Sequence, residues 1–142
     1  MTDLDPEWRH RVHDNPLEFL SLCQHLNTAP DVWNLHEWSD WLTPTQLKTE
    51  KSRFDTIFYI TFRETISTKA SEDNKEVSQV QHFQPNQALN LHTEEKIWLP
   101  PPQFYELSRL ATFMSFENLK AFSEERAKKY GVDVWFPQFF KW

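Results

Sequence analysis

Apolar positions change their spacing several times along this chain, and each change marks an element. Residues 5–13 are polar and aromatic with helical character. Asn15-Pro16-Leu17-Glu18 is a helix start, with Asn suited to the N-cap, proline to the first helical position and glutamate to the first turn. Leu17, Phe19, Leu20, Leu22, Cys23 and Leu26 then supply an apolar face as far as Asn27. Thr28-Ala29-Pro30-Asp31 breaks the pattern.

Residues 33–44, WNLHEWSDWLTP, predict a strand over 35–42, although Trp38 and Trp41 do not alternate strictly. The stretch FDTIFYITFR, residues 54–63, is β-branched and aromatic throughout and predicts a central strand buried on both faces. Residues 67–75 are polar and loop-like, and 76–83 predict a weaker strand. Pro85 opens a short helix over 86–91. After Pro100-Pro101-Pro102, the residues Phe104, Leu107, Leu110 and Ala111 repeat at helical spacing. Ser115 caps a last helix, and Gly131 stands where helices commonly end. The aromatic tail VDVWFPQFFKW either covers a core or meets a missing partner. The sum is an α/β (α+β) chain of two or three strands in a mixed sheet and about four helices, within one domain spanning 1–142.

Composition narrows the function. Hydrophobic residues make up 39% and aromatic residues 15% of the chain, so the net charge of −6 does not describe a disordered acidic tail. The acidic balance gives no footprint for nucleic acid and no basic stripe for a membrane surface. No apolar run approaches the roughly 20 residues of a membrane span, and the polar start MTDLDPEWRH does not fit a secretory signal. One cysteine, Cys23, excludes an internal disulfide, and a soluble intracellular setting is expected. The single glycine, Gly131, leaves no way to write a P-loop or a dinucleotide fingerprint.

Few side chains stand in catalytic patterns. His36, Glu37 and Asp40 form either a metal or acid–base cluster or, the favoured alternative, the solvated side of an edge strand, with His36 and Asp40 on the Trp38 face. The remaining histidines show no ligand spacing, and the apolar neighbours of Cys23 predict a buried, unreactive thiol. Arg53 and Asp55 begin a strand, so Arg53 is a candidate for substrate or for an ion pair. Glu72, Asp73 and Glu76 are either a carboxylate source for a metal–diphosphate or a solvated loop. Glu124-Glu125-Arg126 with Lys128-Lys129 has the pattern of a helix surface.

Several blocks together resemble one family. EWRHRVHDNP, FLSLCQHLNTAPDVWNLHEWSDWLTP, RFDTIFYITF and EKIWLPPPQFYELSRL are similar to the acyl-coenzyme A diphosphatase branch of the Nudix hydrolases, over about residues 7–122. The resemblance implies an α/β/α sandwich, Mg²⁺ or Mn²⁺ as cofactor, and coenzyme A and its acyl esters as substrates. The implied products are 3′,5′-ADP and (acyl-)phosphopantetheine. Family metal ligands lie in the Nudix box, Arg-Glu-x-x-Glu-Glu-x-Gly, whose clustered carboxylates hold hard cations against a diphosphate.

That box is absent here: Arg63-Glu64 continues Thr65-Ile66-Ser67-Thr68, and Glu124-Glu125 lacks both the preceding Arg-Glu and the glycine. The resemblance therefore implies the portion C-terminal to the box, as a truncated gene model, a splice form or a degenerate paralogue, with no metal ligand and no catalytic residue to carry over. It implies that Trp98, Gln103, Phe104 and Tyr105 border the substrate cleft, with core packing the alternative for Trp98 and Phe104. An incomplete sandwich would expose apolar surface and favour self-association. Peroxisomal or mitochondrial placement is a family expectation, and Phe140-Lys141-Trp142 is no peroxisomal tripeptide. The competing class is a non-catalytic ligand-binding or protein-interaction module built on the same fold; a third reading is an unrelated small hydrolase using His36.

Overall fold

Proline and polar capping residues begin most of the helices, and the few left-handed positions end them. The structure, a computed structural model, describes residues 6–44, 53–65 and 80–138. These fall into two units, one running to Asn34 and the other starting at Leu35.

The first unit holds helices α1 (Pro6–Asp14) and α2 (Glu18–His25) and a 3₁₀ turn over Val32–Asn34. The guanidinium of Arg11 lies 3.9 Å from the Trp8 ring centroid and pairs with Glu18. Asn15 works as a turn residue rather than as the helix cap: its Oδ1 accepts from Leu17 N at 3.2 Å, and α2 begins only at Glu18. Pro16 and Leu17 are spent on the tight turn that enters the helix, with Phe19 N donating to Pro16 O. Asn27, at φ 48°, ends α2, and Thr28 N reaches back to Cys23 O at 2.9 Å. Of the predicted apolar face only Leu22 is buried; Leu17, Phe19, Leu20 and Leu26 are exposed and Cys23 is half-buried.

The second unit is built on a mixed three-stranded sheet of β1 (His36–Leu42), β2 (Asp55–Ile60) and β3 (Asp133–Trp135), in the order β2-β1-β3. β1 pairs antiparallel with β2 and parallel with β3. This corrects two expectations. The strand at 54–63 is shorter than predicted and lies at one side of the described sheet with its residues exposed or half-buried, while β1 is the central strand. Composition misled because β2 is apolar on both faces while only one is covered. The weaker strand at 76–83 falls mostly outside the described residues, and 80–83 are irregular.

β1 carries a bulge. Glu37 pairs with Tyr59 and Ser39 with Phe58, so Trp38 is an extra residue. A bulge shifts the two-residue alternation by one, and Trp38, Ser39 and Trp41 thereby reach one face although Trp38 and Trp41 are three apart. By the same register His36 and Asp40 lie on opposite faces, against the sequence expectation. His36 instead packs against Phe62 in a tilted arrangement, with centroids 5.7 Å apart.

Helices α3 (Pro85–Thr93), α4 (Pro101–Leu110) and α5 (Phe116–Lys129) complete the unit. A capping box between Gln84 and Gln87, with Pro85 following the cap, starts α3. Glu95 at φ 59° ends it, and His92 Nδ1 accepts from Leu99 N at 3.2 Å, folding the chain back toward the prolines. In α5 the Ser115 hydroxyl accepts from Asn118 N at 3.2 Å, and Gly131 at φ 70° follows the last turn. Among the described residues there are five α-helices and one small mixed sheet, which agrees with the α/β (α+β) class expected from the sequence. No helix among them is long and apolar enough to cross a membrane.

Candidate functional site

The Glu106 carboxylate, 4% exposed, is the hub of the second unit. Oε2 accepts from the Trp38 indole at 2.6 Å and from Arg109 at 3.1 Å; Oε1 accepts from the Ser39 hydroxyl at 2.7 Å and the Trp41 indole at 2.8 Å. Indole and guanidinium nitrogens only donate, so the acceptor-only ionised carboxylate fits this cage. Asp133 Oδ2 accepts from Arg109 at 3.1 Å and Arg126 at 2.6 Å, and Arg126 also donates to Trp38 O at 2.6 Å. Two carboxylates and two guanidiniums thus balance in charge, and both guanidiniums lie over the Trp38 ring, at 4.9 and 5.4 Å.

This arrangement shows which side chains of α4 meet β1 and corrects the reading of α5 as a plain surface helix. On α4 Phe104 packs on His92 of α3, with centroids 5.2 Å apart, while Glu106 and Arg109, one turn apart, turn to β1. On α5 the Glu125–Lys129 pair is the expected surface pair, but Arg126 is buried. The unpredicted strand β3 brings Asp133 and Trp135 into the cluster, and Trp135 meets Trp41 and Tyr105 at 5.9 and 4.9 Å.

One turn before Glu106, the start of α4 walls a cavity of about 420 Å³. Trp41, Thr56 and Phe58 form its floor on the covered sheet face; Pro100, Pro101, Pro102 and Gln103 form one wall, and Phe54 and Pro137 contribute to the rim. The volume lies in the range of about 300–1,000 Å³ common to small-molecule sites. Three consecutive prolines remove three of the four backbone donors that a helix start usually leaves unpaired, so this helix end presents mainly apolar rings.

The sequence-predicted residues are distributed around this region. Gln103 lines the cavity. Arg53 donates to Thr43 O at 3.3 Å, next to two lining residues, and its guanidinium lies 6.0 Å from the Phe136 ring. Tyr105 packs edge-on against Trp41 at 5.5 Å, Phe104 lies toward α3, and Trp98 is 76% exposed. Glu72, Asp73 and Glu76 fall outside the described residues. Sequence reasoning missed Glu106, Arg109, Arg126 and Asp133; the one local signal was the two tryptophans of β1, whose indole N–H groups need acceptors once buried.

On the other sheet face Asp40 and Asp55 meet as diagonal neighbours across β1 and β2. The hydrogen bond with Asp55, then burial, then repulsion by that carboxylate and by Glu37 raise the Asp40 pKa above its ordinary value, against a backbone bond at Trp41 that lowers it. Asp40 Oδ1 is buried without a partner among the described residues. The described residues do not fit a Mg²⁺ or Mn²⁺ centre: no three His, Cys, Asp or Glu side chains converge among them, and two carboxylates alone fall short of the oxygen set such a cation takes.

Comparison with known proteins agrees with the motifs. The family model described as NUDT19 Nudix domain matches residues 2–110. Among curated proteins the chain is similar to "Acyl-coenzyme A diphosphatase NUDT19" of Gallus gallus, with 44% identity over 132 residues covering 92% of this chain and 35% of that one. The Xenopus laevis protein of the same name is 42% identical over 142 residues, 96% of this chain and 37% of the relative. The Homo sapiens protein is 44% identical over 131 residues, 92% and 34% respectively. The chain belongs to the Nudix acyl-coenzyme A diphosphatase family. It spans about a third of the length of the curated relatives it matches. No solved structure matches it significantly.

Proposed function

We propose that this chain provides the substrate-binding side of a Nudix-type diphosphatase acting on coenzyme A and its acyl esters. The cleavage would give 3′,5′-ADP and (acyl-)phosphopantetheine. The observation that carries the reading is the preformed cavity at the Pro100–Pro102 corner, inside the segment matched by the family model. Relatives named for acyl-coenzyme A support the substrate class. Gln103 at the wall and Arg53 beside the rim are the residues assigned to substrate; Trp98, Phe104 and Tyr105 flank the same corner.

Divalent-metal chemistry, with Mg²⁺ or Mn²⁺, belongs to the family and needs a carboxylate cluster that neither the sequence motifs nor the described donor set supplies. The chain alone is therefore assigned binding without turnover. Calorimetry with coenzyme A in EDTA tests this: heat of binding at one site is expected, and its absence would contradict the assignment.

A second reading, a protein-interaction module, draws on the sheet face that carries Ile57, Tyr59 and Val134, all exposed. Such a face favours self-association or docking of a complementary segment. Sedimentation across a concentration series separates these from a monomer.

A further inference from the structure

We infer that the cavity between the covered sheet face and the proline corner holds the acyl chain of a coenzyme A thioester, leaving the nucleotide end outside. The inference rests on the proposed substrate class and adds where the chain sits and which residues select it.

Three features of the cavity favour a hydrocarbon occupant over the charged or planar parts of the ligand. The described lining residues carry no charge: Trp41, Phe54, Phe58 and the prolines dominate, and Thr43, Thr56 and Gln103 are the polar exceptions. A diphosphate or 3′-phosphate brought here would lose its hydration without gaining a cation, which is prohibitive. The wall is the N-terminal end of α4, where helices often bind phosphate through free N–H groups. Pro100, Pro101 and Pro102 have none, so the first turn keeps a single N–H, that of Gln103, and the following donor, Phe104 N, is engaged by Pro100 O at 2.9 Å.

The wall is also rigid. Proline rings lose no rotamer freedom on contact, and α4 is fixed one turn further on by the three hydrogen bonds that Glu106 accepts from Trp38, Ser39 and Trp41 of β1. Trp41 belongs both to that anchor and to the cavity floor, so the floor and the wall are held by one carboxylate. A preformed apolar slot of this kind favours a flexible alkyl chain, because only the ligand has to be ordered.

The test is calorimetry on the whole chain in EDTA with coenzyme A, acetyl-, butanoyl-, hexanoyl- and octanoyl-coenzyme A, and with free octanoate. Affinity is expected to rise by up to about fourfold for each added methylene until the cavity is filled. Thr56→Phe, which fills the floor from an accessible strand position, should flatten that dependence. Phe54→Ala removes part of the exposed rim at little risk to folding, and should flatten it as well. Coenzyme A binding with no dependence on acyl length would overturn the inference and leave the substrate class standing. Binding of neither coenzyme A nor its esters would overturn both. A length dependence unchanged in both variants would place the acyl chain elsewhere, and octanoate binding as tightly as octanoyl-coenzyme A would show that the coenzyme A part plays no role; either overturns the assignment.

Discussion

Replacing Glu106 by alanine removes the shared acceptor of Trp38, Ser39, Trp41 and Arg109. Each buried donor left without a partner costs about 1–3 kcal/mol. Three lie in buried residues of β1, while Arg109 keeps Asp133 as a partner. Partial rehydration of the gap offsets some of this, so the expected loss is on the order of 4 kcal/mol. Against a typical total of about 5–15 kcal/mol, that brings the fold close to unfolding. Glu106→Gln keeps the volume but turns one oxygen into a donor. Ser39 can reverse its hydroxyl, but an indole N–H cannot, so at least one indole faces another N–H. The expected loss is smaller, about 1–3 kcal/mol. Urea unfolding followed by tryptophan fluorescence measures both, since Trp38 and Trp41 report from the site itself. An alanine variant within about 0.5 kcal/mol of the parent, or a glutamine variant as damaging as alanine, would refute the reasoning that the acceptor role holds α4 to β1.

Ser115→Ala removes the oxygen that accepts from Asn118 N at the start of α5 and should cost about 1 kcal/mol in the same unfolding assay. The backbone N–H of Glu117 and, after it, the Ser115 hydroxyl hold the Glu117 carboxyl below its ordinary pKa, so the variant should let that pKa rise in part in an NMR titration. Gly131→Ala meets no atom within 4 Å but must hold φ 70°, so thermal unfolding should show a loss of about 1–2 kcal/mol from backbone strain alone. Asp40 is expected to give a pH signature. Its folded pKa is raised, so its contribution is fully present below the ordinary aspartate pKa and is lost as pH rises through the folded value. Asp40→Asn should therefore raise the melting temperature at neutral pH, and its advantage should shrink as the buffer is acidified; a constant offset would contradict a titrating pair.

Local signals in the sequence located the helices well. Pro85, the proline triplet, Ser115 and Gly131 each act within one or two turns, and the structure uses each of them at a helix end. Strand faces were less legible, because one bulged residue, Trp38, inverts the alternation for the rest of β1. The three residues of β3 have little pattern to detect, and they become a strand by pairing with Ser39, Asp40 and Trp41 far earlier in the chain. The Glu106 cage was hidden for a similar reason: its β1 partners lie 65–68 residues away, while the nearby Phe104, Leu107 and Leu110 offered a competing apolar stripe. The proline corner, in contrast, was legible as a stiff segment, and the cavity it walls contains Gln103, one of the residues the motif pointed to.

The central claim is that this chain holds the substrate side of the family's chemistry and lacks its metal side. It is tested most directly by incubating the chain with coenzyme A and with octanoyl-coenzyme A in Mg²⁺ or Mn²⁺ and following 3′,5′-ADP by chromatography. The full-length Gallus gallus relative serves as the comparison. No 3′,5′-ADP above the metal-only control is expected from the chain. Metal-dependent, catalytic release by the chain alone would contradict the account.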